Sequence, residues 1–137
     1  MQKEIKINTF GSGLYEITDE VTSFLSDFKT DSGLLNIFLK HTSAGLIIQE
    51  NADPTAKGDL EEWIKREVPE NQSYFKHTYE GADDMPSHIK SVLTSVSLNM
   101  PITNSSLNLG SWQGVYLWEF RKRDHLRKII LTISKSI

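Results

Sequence analysis

The sequence contains no cysteine, and this absence excludes several classes of function. Without thiols the chain cannot form disulfide bonds, thiolate zinc sites or iron–sulfur clusters, and it has no cysteine nucleophile. Long apolar runs are also missing, since stretches such as residues 45–48 are far shorter than the roughly 18 residues of a membrane-spanning helix. The N-terminal residues lack the apolar core of a signal peptide. We therefore expect a cytoplasmic protein with no membrane partner.

Several common catalytic and phosphate-binding motifs are absent as well. The sequence has no Walker-type phosphate loop, no Gly-x-Gly-x-x-Gly motif and no Gly-x-Ser-x-Gly elbow, so it gives no support to a nucleotide-cofactor enzyme or a serine hydrolase. The net charge is −3, which predicts no nucleic-acid partner. Basic residues are concentrated in residues 121–128, which hold five Lys or Arg and one Asp. This segment either steers a small phosphorylated molecule towards the protein or forms a solvated hairpin loop.

The length of 137 residues is that of one domain, and no linker or repeat interrupts residues 1–137. Apolar residues alternate with polar ones in some segments, which is typical of strands, and recur at helical spacing in others. The strands come in neighbouring pairs with short connections, which predicts an α+β fold: a mostly antiparallel β sandwich with two or three helices. The predicted strands cover residues 4–9, 33–40, 45–50, 96–102, 112–121 and 128–134, and the predicted helices cover 18–28, 54–67 and 86–93.

The second predicted helix has the clearest boundaries. Asp53 can cap its N-terminus, and Pro54 is pre-organised for the first helical position. Pro69 ends it. The residues expected to face inward are Leu60, Trp63 and Ile64.

Strand alternation sorts the side chains of residues 112–121 onto two faces. Glu119 and Arg121 fall on one face, where they either form an ion pair at the strand end or line the mouth of a pocket. The other face is aromatic and requires burial against a helix or a neighbouring subunit. We therefore expect Trp112 or Trp118 to lie at or near subunit contacts.

His41 stands at the end of a predicted strand and opens the turn His-Thr-Ser-Ala-Gly. The hydroxyls of Thr42 and Ser43, together with backbone N–H groups, can bind an anion. A histidine beside such a turn suits metal ligation, proton transfer or phosphate binding, although many histidines in this position are simply hydrogen-bonded structural residues.

Two further histidines, His77 and His88, flank a group of carboxylates at Glu80, Asp83 and Asp84. Histidine with carboxylate suits zinc, manganese or nickel, and carboxylates with water suit magnesium. The spacing matches no standard zinc signature. The two aspartates are equally explained as favourable charges at the N-terminus of the third helix.

Three separated motifs, at residues 41–54, 79–90 and 110–115, followed by Glu119 and Arg121, closely resemble the YjbQ-like family over nearly the whole chain. Members of that family are often labelled secondary thiamine-phosphate synthase. The resemblance implies a jelly-roll-like, largely antiparallel β sandwich that assembles as a homotrimer. Small departures are Gln49, where Asn is frequent, and Ser111, where Thr is usual. The residues carried over from the motifs are His41, Glu50, Asn51, Asp53, Asp83, Asp84, His88, Gln113, Glu119 and Arg121.

The first functional hypothesis is the activity that the family label implies. It joins a hydroxymethylpyrimidine pyrophosphate to a thiazole phosphate with loss of pyrophosphate, a leaving group that Mg²⁺ and cationic side chains normally stabilise. Under this hypothesis Asp83, Asp84 and Glu119 hold the metal and Arg121 binds phosphate. A proton comes from His41 or His88, and His41, Glu119 and Arg121 are the predicted catalytic residues.

Two alternatives stay open. One is a metal-binding homotrimer with hydrolase-like or unknown chemistry, in which a divalent ion (Mg²⁺ or Zn²⁺) is held by His41, Asp84 and His88. The other is a non-catalytic module that binds a small anionic ligand at a subunit interface. The predicted ligand-binding residues are Thr42, Ser43, Asn51 and Gln113.

Overall fold

The computed structural model describes residues 1–137 and contains eight strands and three helices. The elements in chain order are β1 (Gln2–Phe10), β2 (Gly13–Glu16), α1 (Thr18–Asp27), β3 (Gly33–Leu39), β4 (Ala44–Glu50), α2 (Pro54–Glu67), α3 (Asp84–Leu93), β5 (Ser97–Thr103), β6 (Ser106–Leu107), β7 (Gln113–Glu119) and β8 (Asp124–Lys135).

The strands form two antiparallel sheets that share one apolar core. The larger sheet has the order β1-β8-β3-β5-β6 and the smaller has the order β2-β7-β4. Leu35, Ile37 and Leu39 of β3 and the alternate residues of β8 meet Leu46 and Leu117 of the smaller sheet in this core, and α1 contributes Phe24. This arrangement confirms the α+β prediction of a mostly antiparallel, strand-rich fold.

The central strand of the smaller sheet, β7, is buried on both faces. Val115 and Leu117 point into the shared core, while Tyr116 and Trp118 point the other way and pack against Ile64 of α2. The aromatic face is therefore buried against a helix, which was one of the two alternatives predicted from the sequence. Trp112, just before the strand, is 66% exposed.

Helix α2 begins where the sequence predicts, because the Asp53 side chain accepts a hydrogen bond from the Thr55 N–H at 2.9 Å. Its buried stripe is narrower than expected. Ile64 is buried, whereas Trp63 is half exposed, so the prediction that Trp63 faces inward is wrong. The helix covers a sheet of only three strands, and a residue about 100° away from Ile64 on the helix projects past its edge.

Several element boundaries differ from the predicted ones, and two of the differences change how the chain is read. Strand β2 was not predicted; it follows a turn in which Gly11 adopts a φ of 109°, and this turn carries the chain from the larger sheet to the smaller one. Strand β8 begins at Asp124 rather than at residue 128. The basic segment is consequently not a fully solvated loop, because Arg121 and Arg127 within it are buried. None of the helices has the length and apolarity needed to cross a membrane.

Candidate metal centre

The first turns of α3 place a carboxylate and an imidazole on one helical face. Asp84 and His88 are four residues apart, so their side chains are neighbours. The segment before α3 brings His77 to the same carboxylate. Asp84 Oδ2 lies 2.6 Å from His77 Nε2 and 3.1 Å from His88 Nε2. These three atoms all lie within 4.8 Å of one another, a separation that one metal ion can span.

A close approach between α3 and β4 fixes the position of this helix. A Cβ atom on Gly45 would stand 1.9 Å from Oγ1 of Thr94, which immediately follows α3. Only glycine permits that contact. The neighbouring residues Leu46 and Ser95 then form an isolated antiparallel bridge. Gly45 therefore holds the helix that carries Asp84 and His88 against the strand that follows the turn at His41.

The hydrogen bond that Nδ1 of His88 makes with Thr42 determines the tautomer of the ring, and therefore what Nε2 offers to Asp84. His88 Nδ1 lies 2.8 Å from the Thr42 carbonyl oxygen, which can only accept, so Nδ1 carries a proton. In a neutral ring Nε2 then presents a lone pair to the carboxylate oxygen of Asp84. Two acceptors that face each other at 3.1 Å repel. A cation between Nε2 and Oδ2, whether a metal ion or a second proton, removes this repulsion. A ligating histidine whose other nitrogen donates to a backbone carbonyl is the usual arrangement in metal sites.

Arg121 binds the Asp84 carboxylate through Oδ1, the oxygen that the two histidines do not contact. Its guanidinium donates to Asp84 Oδ1 through Nη1, to Asp83 Oδ2 at 3.1 Å through Nε and to the Glu80 carbonyl at 2.8 Å through Nη2. Burial alone would raise the pKa of Asp84, but the His77 hydrogen bond and the charges of His88 and Arg121 outweigh it and lower the pKa. The carboxylate is thus ionised and oriented, with Oδ2 left to the histidines.

A second buried network lies beside the first. Glu119 is fully buried and accepts hydrogen bonds from Arg127 Nε at 2.7 Å and from the Thr9 hydroxyl at 2.6 Å, and Arg127 Nη2 also donates to it. Arg127 Nη2 donates further to the carbonyl and hydroxyl oxygens of Ser43. Burial raises the pKa of Glu119, but the hydrogen bonds from Arg127 and Thr9 outweigh that effect, so the pKa lies below its ordinary value.

His41 belongs to this second network and not to the first. Its Nε2 accepts a hydrogen bond from the Lys128 N–H at 2.8 Å, so that nitrogen is unprotonated. Burial lowers the pKa of His41, and the nearby Arg127 charge lowers it further. The turn that follows connects the two networks, since the Thr42 carbonyl meets His88 and Ser43 meets Arg127.

The structure therefore brings together part of the predicted site in a different grouping. Asp84 and His88 meet, but the third member of the group is the imidazole of His77 and not that of His41. Glu119 and Arg121 do not pair with each other, because each has its own buried partner. The sequence places His77 beside the carboxylates, seven residues before Asp84, but does not identify it as a ligand. The irregular segment between the two gave no period from which to place its ring.

Two predicted ligand-binding residues lie at the far end of the smaller sheet. In the β4–β7 pair, Ala44 is opposite Glu119 at one end and Glu50 is opposite Gln113 at the other, six residues or roughly 20 Å away. There Asn51 donates to Glu16 at 3.0 Å, and the Gln113 side chain accepts the Gly110 N–H at 2.7 Å. Within one chain, Asn51 and Gln113 are not part of the His77–Asp84–His88 centre.

Comparison with known proteins identifies the family. The model of the family described as UPF0047 protein YjbQ-like matches residues 3–136. The chain belongs to this family. This YjbQ-like chain is 47% identical to the UPF0047 protein YjbQ of Salmonella typhimurium, covering 97% of the chain and 96% of that protein. It is 43% identical to a UPF0047 protein of Synechocystis, covering 99% of the chain and 92% of the relative.

A solved structure shares the fold as well as the sequence. The conserved hypothetical protein of Thermus thermophilus superposes with a TM-score of 0.85 at 31% identity, covering 96% of this YjbQ-like chain and 99% of that one. The names of these relatives state no reaction. The chemistry of the centre must therefore be argued from its geometry.

Proposed function

We propose that this YjbQ-like protein binds one divalent transition-metal ion through His77 Nε2, Asp84 Oδ2 and His88 Nε2. The observation that carries the proposal is the convergence of these three atoms within 4.8 Å while the opposite nitrogen of His88 donates to the Thr42 carbonyl. Two imidazoles and one carboxylate are a common ligand set for catalytic zinc, whereas Mg²⁺ prefers oxygen ligands. We therefore favour Zn²⁺ over Mg²⁺.

The exposure of the ligands favours a reactive centre over a purely structural one. Asp84 is almost completely buried, but the side chains of His77 and His88 are 48% and 30% exposed. Three protein ligands leave a coordination position on the exposed side for water or substrate. A zinc ion held by His77, Asp84 and His88 would polarise a bound substrate oxygen or activate a bound water. The substrate class we propose is a small phosphorylated molecule.

The residues around the ligands act by positioning. Arg121 fixes the Asp84 carboxylate, and Asp83 and the Glu80 carbonyl fix Arg121. Thr42 orients His88. Because the guanidinium of Arg121 is occupied by three internal acceptors, its proposed role is to orient Asp84 rather than to contact phosphate.

Metal analysis of the purified protein tests this proposal. We expect about one Zn²⁺ per chain after equilibration and dialysis, loss of the ion on treatment with EDTA, and recovery on adding ZnCl₂. His77→Ala and His88→Ala should each abolish stoichiometric binding. His125→Ala is the matched control, because the His125 ring bonds only to the nearby Arg123 carbonyl, and this variant should retain the ion.

The His41→Ala variant separates the two possible ligand sets. Retention of zinc supports His77, Asp84 and His88 as the ligands, whereas its loss supports the grouping of His41 with Asp84 and His88. A protein that binds no zinc, or binds it equally in His88→Ala and His125→Ala, contradicts the proposed centre.

Formation of thiamine phosphate is the more specific proposal, and it rests on the family resemblance. Incubation with the pyrimidine pyrophosphate and the thiazole phosphate, with Mg²⁺ or Zn²⁺, tests it by product formation. Turnover lost in His88→Ala and kept in His125→Ala supports it, and no turnover above background removes it.

A cytoplasmic homotrimer with Trp112 at its subunit contacts is also part of this proposal. Light scattering at a monomer's mass would contradict the trimer.

A further inference from the structure

A cavity separate from the candidate metal centre lies between α2, α3 and the residues after β7. Its volume is about 340 Å³, and it is lined by Ser12, Lys65, Glu70, Lys90, Phe120 and Lys122, among others. A smaller lobe of about 180 Å³ shares four of these residues and extends towards Trp118 and Glu61. Pockets of this size hold small-molecule ligands. None of the three candidate metal ligands lines either lobe.

The defining feature of this cavity is the ammonium group of Lys90. The residue is 9% exposed, yet its side chain has no ion-pair partner and no hydrogen bond to another residue. Within the chain its charge is stabilised by the face of Phe120, whose ring centroid lies 5.9 Å from Nζ, and at longer range by the carboxylates of Glu70 and Asp83, neither of which bonds to it. A largely buried cation without an anionic partner is costly unless something else supplies the charge.

The surrounding charges favour an anion. Lys65 has no ion-pair partner, and Lys122 pairs at 2.9 Å with Glu70, the one acidic residue in the lining of the larger lobe. Three lysines and one carboxylate therefore line the larger lobe, while Asp83, outside its lining, is engaged by Arg121 and by the Lys122 N–H. In the smaller lobe the Glu61 carboxylate is engaged by the Leu14 N–H, and Glu119 is engaged by Arg127. The hydroxyl of Ser12 adds a neutral donor at the wall.

We propose that this cavity binds the phosphate group of a small molecule, with Lys90 Nζ as the innermost contact and Lys65 and Lys122 completing the charge. Phe120, with Trp118 in the smaller lobe, offers an apolar wall to the organic part of the ligand. The site goes beyond the proposed metal function. Lys90 and His88 are two residues apart and point roughly 200° apart around α3, so the two sites lie on different faces of that helix.

The test uses inorganic phosphate and inorganic pyrophosphate as probes of metal-free protein. Isothermal titration calorimetry in EDTA at constant ionic strength should show one saturable site per chain with a dissociation constant of about 1 mM or lower. Lys90→Met keeps the unbranched stem and removes the charge, and it should weaken binding at least about tenfold. Lys65→Gln, at an exposed position, should weaken binding less, and the exposed Lys3→Gln in β1 should leave it unchanged.

The outcomes are distinct from those of the zinc experiments, because EDTA removes any contribution of the metal centre. Tighter binding of pyrophosphate than of phosphate indicates that both lobes take part, and equal binding indicates a single phosphate position; both support the site. Absence of saturable binding, or equal weakening by Lys65→Gln and Lys3→Gln, overturns the proposal. If Lys90→Met does not fold, the phosphate affinities of Lys65→Gln and Lys3→Gln can still be compared, and this comparison tests the proposal.

Discussion

Arg127 and Glu119 form a two-point ion pair in the interior, in which Arg127 Nε lies 2.7 Å from Glu119 Oε1 and Nη2 donates to Oε2. Both residues are almost completely buried. The same carboxylate also accepts the backbone N–H groups of Phe120 and Arg121, so it fixes the end of β7 from which Arg121 reaches Asp84. This pair thereby connects the core of the sandwich to the candidate metal centre.

Removing one charge of this pair should destabilise the protein strongly. Glu119→Gln leaves Arg127 buried and uncompensated, and we expect the free energy of unfolding to fall by about 3–5 kcal/mol in urea denaturation. Glu62→Gln is the matched control, because Glu62 pairs with Arg66 on the exposed surface of α2, and it should cost less than about 1 kcal/mol. Replacing both buried charges, with Glu119→Leu and Arg127→Met together, should recover only part of the loss, because the Thr9 hydroxyl and the N–H groups of Phe120 and Arg121 lose their acceptor. Equal effects of the two single variants would contradict this account.

Low pH should lower the unfolding free energy because it protonates the Glu119 carboxylate. The folded pKa of Glu119 lies below the ordinary value of 4.5, so its ionised form contributes stability that is complete above pH 4.5 and is lost as the pH falls through the folded pKa. The unfolding free energy of metal-free protein should therefore decline as the pH drops below 4.5. Glu119→Gln should decline less steeply over the same range. Parallel curves for the two proteins would show that Glu119 does not contribute to the acid sensitivity.

Two glycine-to-alanine substitutions should have opposite effects. Gly45→Ala forces a Cβ atom into Thr94, which must displace α3 from β4; we expect it to lower both the unfolding free energy and the affinity for zinc. Gly58 lies inside α2, and apart from its own helix backbone no atom comes within 4 Å of the carbon that Gly58→Ala adds, so this variant should raise the unfolding free energy by up to about 1 kcal/mol. Thermal denaturation and zinc titration measure both variants. Unchanged zinc affinity in Gly45→Ala would show that the helix position does not control the centre.

Arg121→Lys should weaken zinc binding without removing a ligand. Lysine keeps the positive charge but cannot satisfy Asp84, Asp83 and the Glu80 carbonyl with one planar fork, so Asp84 loses its fixed orientation. Loss of a residue that orients a ligand costs about 10- to 100-fold in metal affinity. Competition with a chelator of known affinity measures the change. Arg66→Lys, on the exposed face of α2, should bind zinc as the unaltered protein does.

Local sequence patterns predicted much of the fold. The alternation in residues 112–121 assigned Val115 and Leu117 to one face of β7 and Tyr116 and Trp118 to the other, and the structure places them in two different clusters. Asp53 marked the start of α2. The pattern missed the half-exposed position of Trp63, because exposure depends on the width of the sheet beneath the helix. It also missed β2, which is only four residues long.

Asp84 and His88 are predicted from the sequence as metal ligands together with His41, whereas the structure groups them with His77. The predicted helix began at residue 86, so its spacing did not pair Asp84 with His88; the structure starts α3 at Asp84 and makes them neighbours. The motif resemblance singled out Glu119 and Arg121. Their partners come from remote parts of the chain: Arg127 for Glu119, and Asp83 and Asp84 for Arg121. A helical or strand period relates residues within one element and carries no information about which side chains meet across elements.

The sequence by itself determined most of the element types, most of the faces they bury and the absence of thiol chemistry, because these depend on residue type and on short-range periodicity. Only the tertiary structure decided that His77 joins Asp84 and His88, that His41 turns to Lys128 and Arg127, and that Lys90 faces a cavity without a partner. Each of these depends on where the turns place whole strands and helices relative to one another. That placement is set by packing of the shared core and by the contact of Gly45 with Thr94.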